Sequence, residues 1–301
     1  MHFDLADLRL FAHIAEAPSL TQGARRAHLS AAAASARIKA LEGQLDCRLL
    51  YRDNRGVELT PAGHRLLQHA RLILRQVDHL KDDFSEQGGD QVGHIRIFAN
   101  TTAVTEFLPE LLAGFLAVRP GVSVDLQERL NRDIVRAILD GSADLGIVAG
   151  PVRAEGLQVV HFSTDRLVLV VPPEHPLGRL RHLTLADTLG FAHIGLHEGS
   201  TLQSFLREQV KRVGGSLNLR IQVASFEAIC RMVEAGVGIG VIPETAALRH
   251  SRTMNLQILA LDEPWVVRER SVLLRDHEAL PGCARALVDL LRQAGGGRSP
   301  E

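Results

Sequence analysis

The sequence predicts an α/β protein in three parts: a small helical head closed by a hairpin, one long helix, and a larger module of alternating strands and helices. Three observations carry this expectation. Residues 19–42 pattern as two short helices about a tight turn, Leu66 to Phe84 form a heptad-like apolar seam that runs out at Gly88 and Gly89, and from Gly93 onward strand-length apolar runs alternate with helix-length ones.

Bulk properties narrow the function classes. A chain of 301 residues is long enough for two or three domains, and its net charge of −1 leaves any polyanion contact to a local basic segment. With one Trp and one Tyr, stacking of single-stranded bases on an aromatic platform is disfavoured, so duplex is the better nucleic-acid target. The three cysteines, Cys47, Cys230 and Cys283, lack metal-ligand spacing and read as free thiols. The scattered histidines give no metal site: His193 and His197 would share a helical face, but the sequence around His193 is strand-like. The N-terminus lacks the pattern of an export signal and no segment has the length of a membrane span, so the expected location is the cytoplasm, with no membrane partner.

In the head, Leu8, Phe11, Ala12 and Ala15 fall at helical spacing, and Pro18 ends that helix. Ser19 and Thr21 offer cap oxygens to a second helix, in which Ala24 and Ala27 are small enough for a close crossing. His28 and Leu29 make a turn, and Ser30 caps a third helix whose buried face is Ala34, Ile38, Leu41 and Leu45. Its other face carries Ala31, Ala32, Ser35, Arg37 and Lys39, small and cationic side chains that suit a major groove. An ordinary antiparallel helix pair is the commoner reading of such a pattern. Leu49 to Tyr51 and Val57 to Leu59, joined through Asp53, Asn54, Arg55 and Gly56, add a hairpin wing, and the cations Arg25, Arg26, Arg37, Lys39, Arg48, Arg52 and Arg55 outnumber the acids around them. The expected DNA contacts are Ser30, Ala31, Ala32, Ser35, Arg37, Lys39, Arg52 and Arg55.

Thr60 and Pro61 then start a long helix. Its seam, Leu66, Ala70, Ile73, Val77, Leu80 and Phe84, steps by fours and threes and asks for a partner helix, which makes a dimer the favoured expectation over packing within the chain. Beyond the glycines, strands are expected at His94 to Ala99, Ser123 to Glu128, Leu145 to Val148, Leu167 to Val171, Phe191 to Ile194, Leu219 to Val223, Ile239 to Ile242, Leu256 to Ala260 and Arg270 to Leu274. Helices are expected at Val104 to Val118, Asp133 to Asp140, Leu202 to Val213, Phe226 to Ala235 and Ala284 to Gln293. Such a rhythm predicts a mostly parallel sheet with ligands at the carboxyl ends of its strands.

Over nearly its whole length the chain resembles the LysR-type transcriptional regulators. The resemblance rests on Phe11, Ala15, Glu16, Ser19, Thr21, Ala24, Leu29, Ser30, Ala33, Ser35, Ile38, Leu41, Glu42, Leu45, Leu49, Arg52, Leu59, Thr60, Pro61, Ala62 and Gly63. It continues more loosely in FLPELLAGFLAVRPGVSV, DGSADLGIV and VEAGVGIGVIP. It implies a winged helix-turn-helix over residues 1–60, a dimerising linker helix over 61–87 and, over 88–301, a two-subdomain effector module like a periplasmic binding protein. Subdomain I would take about 93–163 and 266–294, and subdomain II about 164–265. The implied function is sequence-specific duplex DNA binding controlled by a small-molecule effector, in a dimer of dimers, with RNA polymerase as a further partner and no cofactor besides the effector. Where the family usually has Gln and often Pro, this chain has Ala31 and Ala32, so a base-reading amide is missing; Ala27 replaces the usual Leu, and Asp46 replaces a Gly that Asp can mimic in a left-handed turn.

By the same resemblance Thr101, Thr102, Asn131, Ser200 and Thr201 match effector-binding positions, with Ser225 a weaker candidate. They sit at expected helix starts, where free amides and a positive dipole end favour a small polar or anionic metabolite, although simple capping accounts for most such residues. Enzyme readings find no nucleophile elbow, P-loop or zinc-helix motif, and the Gly-rich VEAGVGIGVIP leads into a strand where a dinucleotide site would open a helix. The alternative is a solute-binding protein of the periplasmic-receptor fold without a transcriptional role, which would have no use for residues 1–87.

Overall fold

A computed structural model describes residues 3–53, 56–83 and 91–296, so Arg55, Phe84, Gly88 and Gly89 lie outside the described residues. The chain packs as two units, one of residues 1–88 with 140–142, the other of residues 89–139 and 143–301.

In the first unit, α1 (Leu5–Ala15) is opened by a capping box between Asp4 and Asp7 and buries Leu8, Leu10, Phe11 and Ile14. Ser19 caps α2 (Leu20–Arg26), and Ser30 caps α3 (Ala31–Gln44), whose buried face is Ala34, Ile38 and Leu41. The closest helix crossing is made by Gly23, where a Cβ would stand 2.5 Å from Ile14 Cα of α1. Ala24, expected to make that approach, is buried beside it. Left-handed backbone closes both turns, at His28 (φ 56°) and at Asp46 (φ 47°), so the Asp does adopt the conformation expected of it. The wing pairs β1 (Leu50–Asp53) with β2 (Gly56–Leu59) in antiparallel register, Leu50 opposite Leu59. Glu42 fastens it to α3, its carboxylate accepting from the amides of Leu49 (2.8 Å) and Leu50 (3.3 Å).

Thr60 begins α4 (Pro61–Asp83): its hydroxyl accepts from Gly63 N at 3.0 Å and donates to Arg48 O at 2.7 Å. The expected seam divides. Leu66 packs with its neighbour Leu67 on the core of the head and Ala70 is fully buried, whereas Ile73 and Leu80 are exposed. An open apolar groove of about 470 Å³ is lined there by Leu72, Ile73, Gln76, Val77 and Leu80. The first two seam positions are therefore spent within the chain, because the opening turns of α4 lie against α1.

The second unit has two main cores, with a smaller cluster around Ile134, Ile138 and Leu273 beside the first. Around the first stand β3 (Val92–Ala99), α5 (Thr101–Glu106), α6 (Leu108–Ala117), β4 (Gly121–Glu128), α7 (Asn131–Leu139) and β5 (Leu145–Ala149), with β3 parallel to both β4 and β5. The second collects α8 (Leu185–Thr188), β7 (His193–Leu196), α9 (Thr201–Arg212), β8 (Leu219–Val223), α10 (Phe226–Glu234), β9 (Gly240–Pro243), α11 (Glu244–His250) and β10 (Gln257–Ala260). Two strands pass between them: β6 (Gln158–Val171) and β11 (Val267–Leu274), antiparallel to each other, before α12 (Gly282–Gly296) returns to the first core. Phe162 of β6 lies in the first core and Leu167 to Val171 in the second.

Four expectations are corrected. The sheet expected to be mostly parallel is mixed, with β6 and β11 antiparallel to each other and to their other neighbours. The helix expected from Val104 to Val118 is two, broken at Phe107 (φ −133°, ψ −51°), with Pro109 in the first turn of α6. The strand expected from Leu167 begins at Gln158, its outer half masked in the sequence by alternating polar residues. Asn131 is the first residue of α7, two positions earlier than the helix was expected.

Glycine substitutions test the head. Gly23→Ala and Gly63→Ala, whose Cβ would lie 2.1 Å from Leu49 O, meet backbone atoms, and each should destabilise by about 1–3 kcal/mol. Gly43→Ala in α3 has nothing within 4 Å and should stabilise by about 0.4–1 kcal/mol. Urea unfolding of the full chain, monitored for the head, checks both signs.

Candidate nucleic-acid interface and ligand junction

The outward surface of α3 is made by Ala32, Ala33, Ala36, Lys39 and Ala40, all exposed, with Ser30 exposed at the cap and Ala31 and Ser35 half-buried. A helix face this small lets its backbone come close to a duplex, and Lys39 offers it an ammonium. Arg25, Arg26 and Arg48 are also exposed. Arg37, expected at the DNA, also has partners within the head. Its Nε donates to Asp7 Oδ1 at 2.7 Å and its Nη2 to Asp4 Oδ1 at 3.1 Å, so the guanidinium ties α3 to the capping box of α1. The hydrogen bond to Asp7 raises Arg37 above its ordinary range, and the Asp7 amide, helped by Arg37, holds Asp4 below the usual carboxylate range. Helical periodicity places Arg37 at the edge of the apolar stripe but says nothing of partners thirty residues away. The Arg52 side chain, like Arg55, lies outside the described residues.

In the second unit four of the residues expected at the ligand site, Thr101, Asn131, Ser200 and Thr201, come together where the two cores meet. Asn100, unremarked in the sequence, is the side-chain cap of α5, its Oδ1 accepting from Ala103 N at 3.0 Å, and this frees Thr101 and Thr102 from capping. Thr101 Oγ1 donates to Glu128 Oε1 at 2.6 Å and stands 3.5 Å from Ser200 Oγ across the junction. Thr201 Oγ1 accepts from the backbone amide of Asn131 at 3.2 Å, and the Asn131 side chain donates to Ala149 O at 3.0 Å. A hydroxyl of one subdomain thus occupies the anion-favouring N-terminus of a helix of the other. Ser200 also caps α9, with Gln203 N at 3.5 Å. Ser225 caps α10 through Ala228 N at 3.2 Å, the plain structural role that was its alternative. Thr102 is buried beside Thr101.

Other charged residues frame this junction and went unnoticed in the sequence. Arg249 of α11 pairs with Glu106 of α5 at 2.9 Å, an ion pair across the two subdomains, and burial pushes the Glu106 carboxyl above its ordinary value against the pull of Arg249. His197 Nε2 stands 4.0 Å from Glu128 Oε1. Asp165 of β6 faces Arg268 and Arg270 of β11 in the interior. The signal was present in VRERSVLL, where alternate arginines share a face with the apolar residues of a strand. Elsewhere His193 lies in β7 with Nε2 3.2 Å from Thr188 Oγ1 and Nδ1 3.0 Å from Phe191 O, and burial lowers its basicity. Cys230 and Cys283 are buried and Cys47 half-buried; burial pushes the Cys230 thiol up to about 12.

Comparison with known proteins gives the same division. Residues 5–64 match the family described as bacterial regulatory helix-turn-helix protein, lysR family, and residues 88–296 match the LysR substrate binding domain. The HTH-type transcriptional regulator YofA of Bacillus velezensis is 30% identical over 292 residues, which cover 97% of this chain and 99% of that one. A similar structure is full-length OxyR of Pseudomonas aeruginosa carrying a cysteine substitution, with TM-score 0.72 at 20% identity, covering 98% of each chain. Full-length CbnR complexed with its target DNA gives TM-score 0.54 at 24% identity, covering 97% of this chain and 100% of that one. The match of the head removes the solute-receptor alternative, and the chain belongs to the LysR family of transcriptional regulators, with a DNA-binding winged helix-turn-helix and an effector-binding module.

Proposed function

We propose that this regulator works in the cytoplasm as a dimer of dimers on an imperfect dyad in duplex DNA, and that a small polar or anionic metabolite bound between the effector subdomains switches it. The observation that carries the effector assignment is the convergence of Thr101, Asn131, Ser200 and Thr201 at one junction, with hydrogen bonds passing from one subdomain to the other. A ligand that takes these donors and acceptors would change the angle between the subdomains, and the switch follows if its affinity differs between the two arrangements. RNA polymerase is the partner through which such a change would alter transcription, and no cofactor besides the effector is invoked. No helix among the described residues is long and apolar enough to cross a membrane.

Assembly is assigned to the distal part of α4, where Ile73, Val77 and Leu80 leave an apolar groove without cover from the described part of the chain. A second copy of the helix laid along it would bury the seam and present two reading heads.

Three measurements test the reading. In DNA-binding titrations by fluorescence anisotropy at several salt concentrations, Lys39→Ala should weaken binding and lower the salt slope by about one unit, as loss of one phosphate contact does. Arg37→Met should chiefly lower the melting temperature of the head; an equal loss of slope in the Arg37 variant would return that residue to the interface. Val77→Asp combined with Leu80→Asp should convert dimers to monomers in sedimentation, since charge in an apolar contact costs several kcal/mol as an order of magnitude; an unaltered oligomer would remove the α4 assignment. Thr102→Val and Thr201→Val should each reduce the affinity for an effector found by screening, by about 0.5–1.5 kcal/mol per neutral hydrogen bond, while effector-free DNA binding is retained. Calorimetry showing affinity indifferent to both substitutions would return those side chains to a purely structural role.

A further inference from the structure

The junction holds a chemistry that its hydroxyls do not explain. Asp165 of β6 lies between two arginines of β11, with Arg268 Nη2 at 2.9 Å from Oδ2 and Arg270 Nη2 at 3.5 Å from Oδ1, and the three side chains are only 1%, 3% and 7% exposed. A guanidinium does not shed its proton, so two positive charges share one negative one. Glu106 nearby is already paired with Arg249, and Glu128 at the junction accepts from Thr101, so neither is hydrogen-bonded to this cluster. Burial weakens the hold of Arg268 on its charge and Asp165 restores part of it. Among the described residues the Nε groups of both Arg268 and Arg270 are buried donors without a hydrogen-bond partner, and Asp165 Oδ1, though 3.5 Å from Arg270 Nη2, is a buried acceptor without one. Phenylalanine faces offset the surplus in part, Phe205 at 5.8 Å from Arg268 and Phe107 at 5.7 Å from Arg270, but a ring is a weak substitute for an anion.

The cluster also stands at the site. Gly150 follows Ala149, whose carbonyl holds the Asn131 side chain, and its own amide donates to Glu269 O at 2.8 Å. A Cβ built on Gly150 would meet only Arg268 Cδ, at 3.8 Å, an ordinary van der Waals contact, so the end of β5 lies beside the arginine stem without crowding it. Phe205, on the other side of Arg268, lies one turn into α9 from Thr201. Asn131 Oδ1 is a further buried acceptor left without a partner.

We propose that the Asp165, Arg268 and Arg270 cluster is the anion-recognising end of the effector site, and that the effector carries a carboxylate which lodges beside Gly150 and accepts from the unpartnered arginine donors. The inference rests on the junction being the effector site. A carboxylate supplies the single negative charge that the cluster lacks, and its two oxygens match a guanidinium fork. A phosphate monoester, at nearly two negative charges near neutral pH, would overshoot the surplus.

The test uses full-length protein and thermal shift, followed by calorimetry, with sodium acetate, succinate and benzoate as probes against chloride at equal ionic strength. Acetamide and benzamide serve as neutral controls and inorganic phosphate as the competing anion. A saturable rise in melting temperature with a carboxylate, absent with the amides, is the expected result. Arg268→Met should then bind that probe at least tenfold more weakly, and Arg268→Lys, which keeps the charge without the fork, should fall between; if the Met variant does not fold, the Lys variant decides, and affinity equal to wild type overturns the proposal. Three other results overturn it as well: no response to any probe carboxylate, a response to phosphate alone, or affinity in Arg268→Met within twofold of wild type. Thr201→Val separates the two levels of the argument. Weakened binding there with normal binding in Arg268→Met removes the charge assignment and leaves the junction, whereas normal binding in both removes the junction too.

Discussion

The effector module depends on one constraint: β6 must belong to two cores at once, with β11 paired along it. They are hydrogen-bonded to each other from Val267 opposite Arg166 to Leu274 opposite Gln158, with a register shift between Arg270 and Ser271. A ladder of this length is stiff along the strands, so the cores are fixed in separation at the crossing while the faces beyond it can approach or part. The buried charges sit at this crossing, and the two helix starts that meet across the junction, those of α7 and α9, flank it. Substitutions that repack the crossing would therefore alter the geometry of the junction without touching any hydroxyl in it.

What could be read from the sequence followed from how local each cause is. The caps at Ser19 and Ser30, the buried stripe Ala34, Ile38 and Leu41, and the left-handed Asp46 are decided within a few residues, and each agrees with the structure. The convergence of Thr101, Asn131, Ser200 and Thr201 was legible as hydroxyl and amide side chains at expected helix starts, with their pairing supplied by family likeness. Their partners were not legible: nothing local marks Glu128 as the acceptor for Thr101, or Asn100 as the cap that releases it. Arg37 shows the limit most clearly, because helical periodicity puts it at the edge of the apolar stripe of α3 and does not reveal its pairing with Asp7, thirty residues away in sequence. The outer half of β6 was hidden for the opposite reason, since a strand that is half exposed and crosses between cores loses the continuous apolar run by which buried strands are recognised.

The head makes a related point about position and contact. Its reading helix has almost no long side chains on the outer face, so the depth to which it can approach a duplex is set by alanine methyls and backbone. Orientation then matters more than reach, and orientation is fixed by groups that face inward: Gly23 on Ile14, Arg37 on Asp4 and Asp7, and Glu42 on the amides at the start of the wing. Arg37 holds α3 against the start of α1 through Asp4 and Asp7, so its loss is expected to lower the stability of the head.

In the effector module the free protein already satisfies at the junction some of the groups that a ligand would use. Thr201 accepts from the Asn131 amide and Thr101 donates to Glu128, so a ligand entering there exchanges protein hydrogen bonds for its own. The net gain from each exchange is a fraction of a full hydrogen bond, which is itself about 0.5–1.5 kcal/mol. Coupling between sites in regulatory proteins is typically about 1–3 kcal/mol, so two or three exchanged contacts are of the right size to shift a balanced pair of conformations without locking either. The unpartnered arginine donors are different in kind, since nothing in the described chain has to be given up to engage them. Binding energy drawn from that end is available for affinity, whereas energy drawn from the hydroxyl end is tied to the change in subdomain contact that would signal to the head.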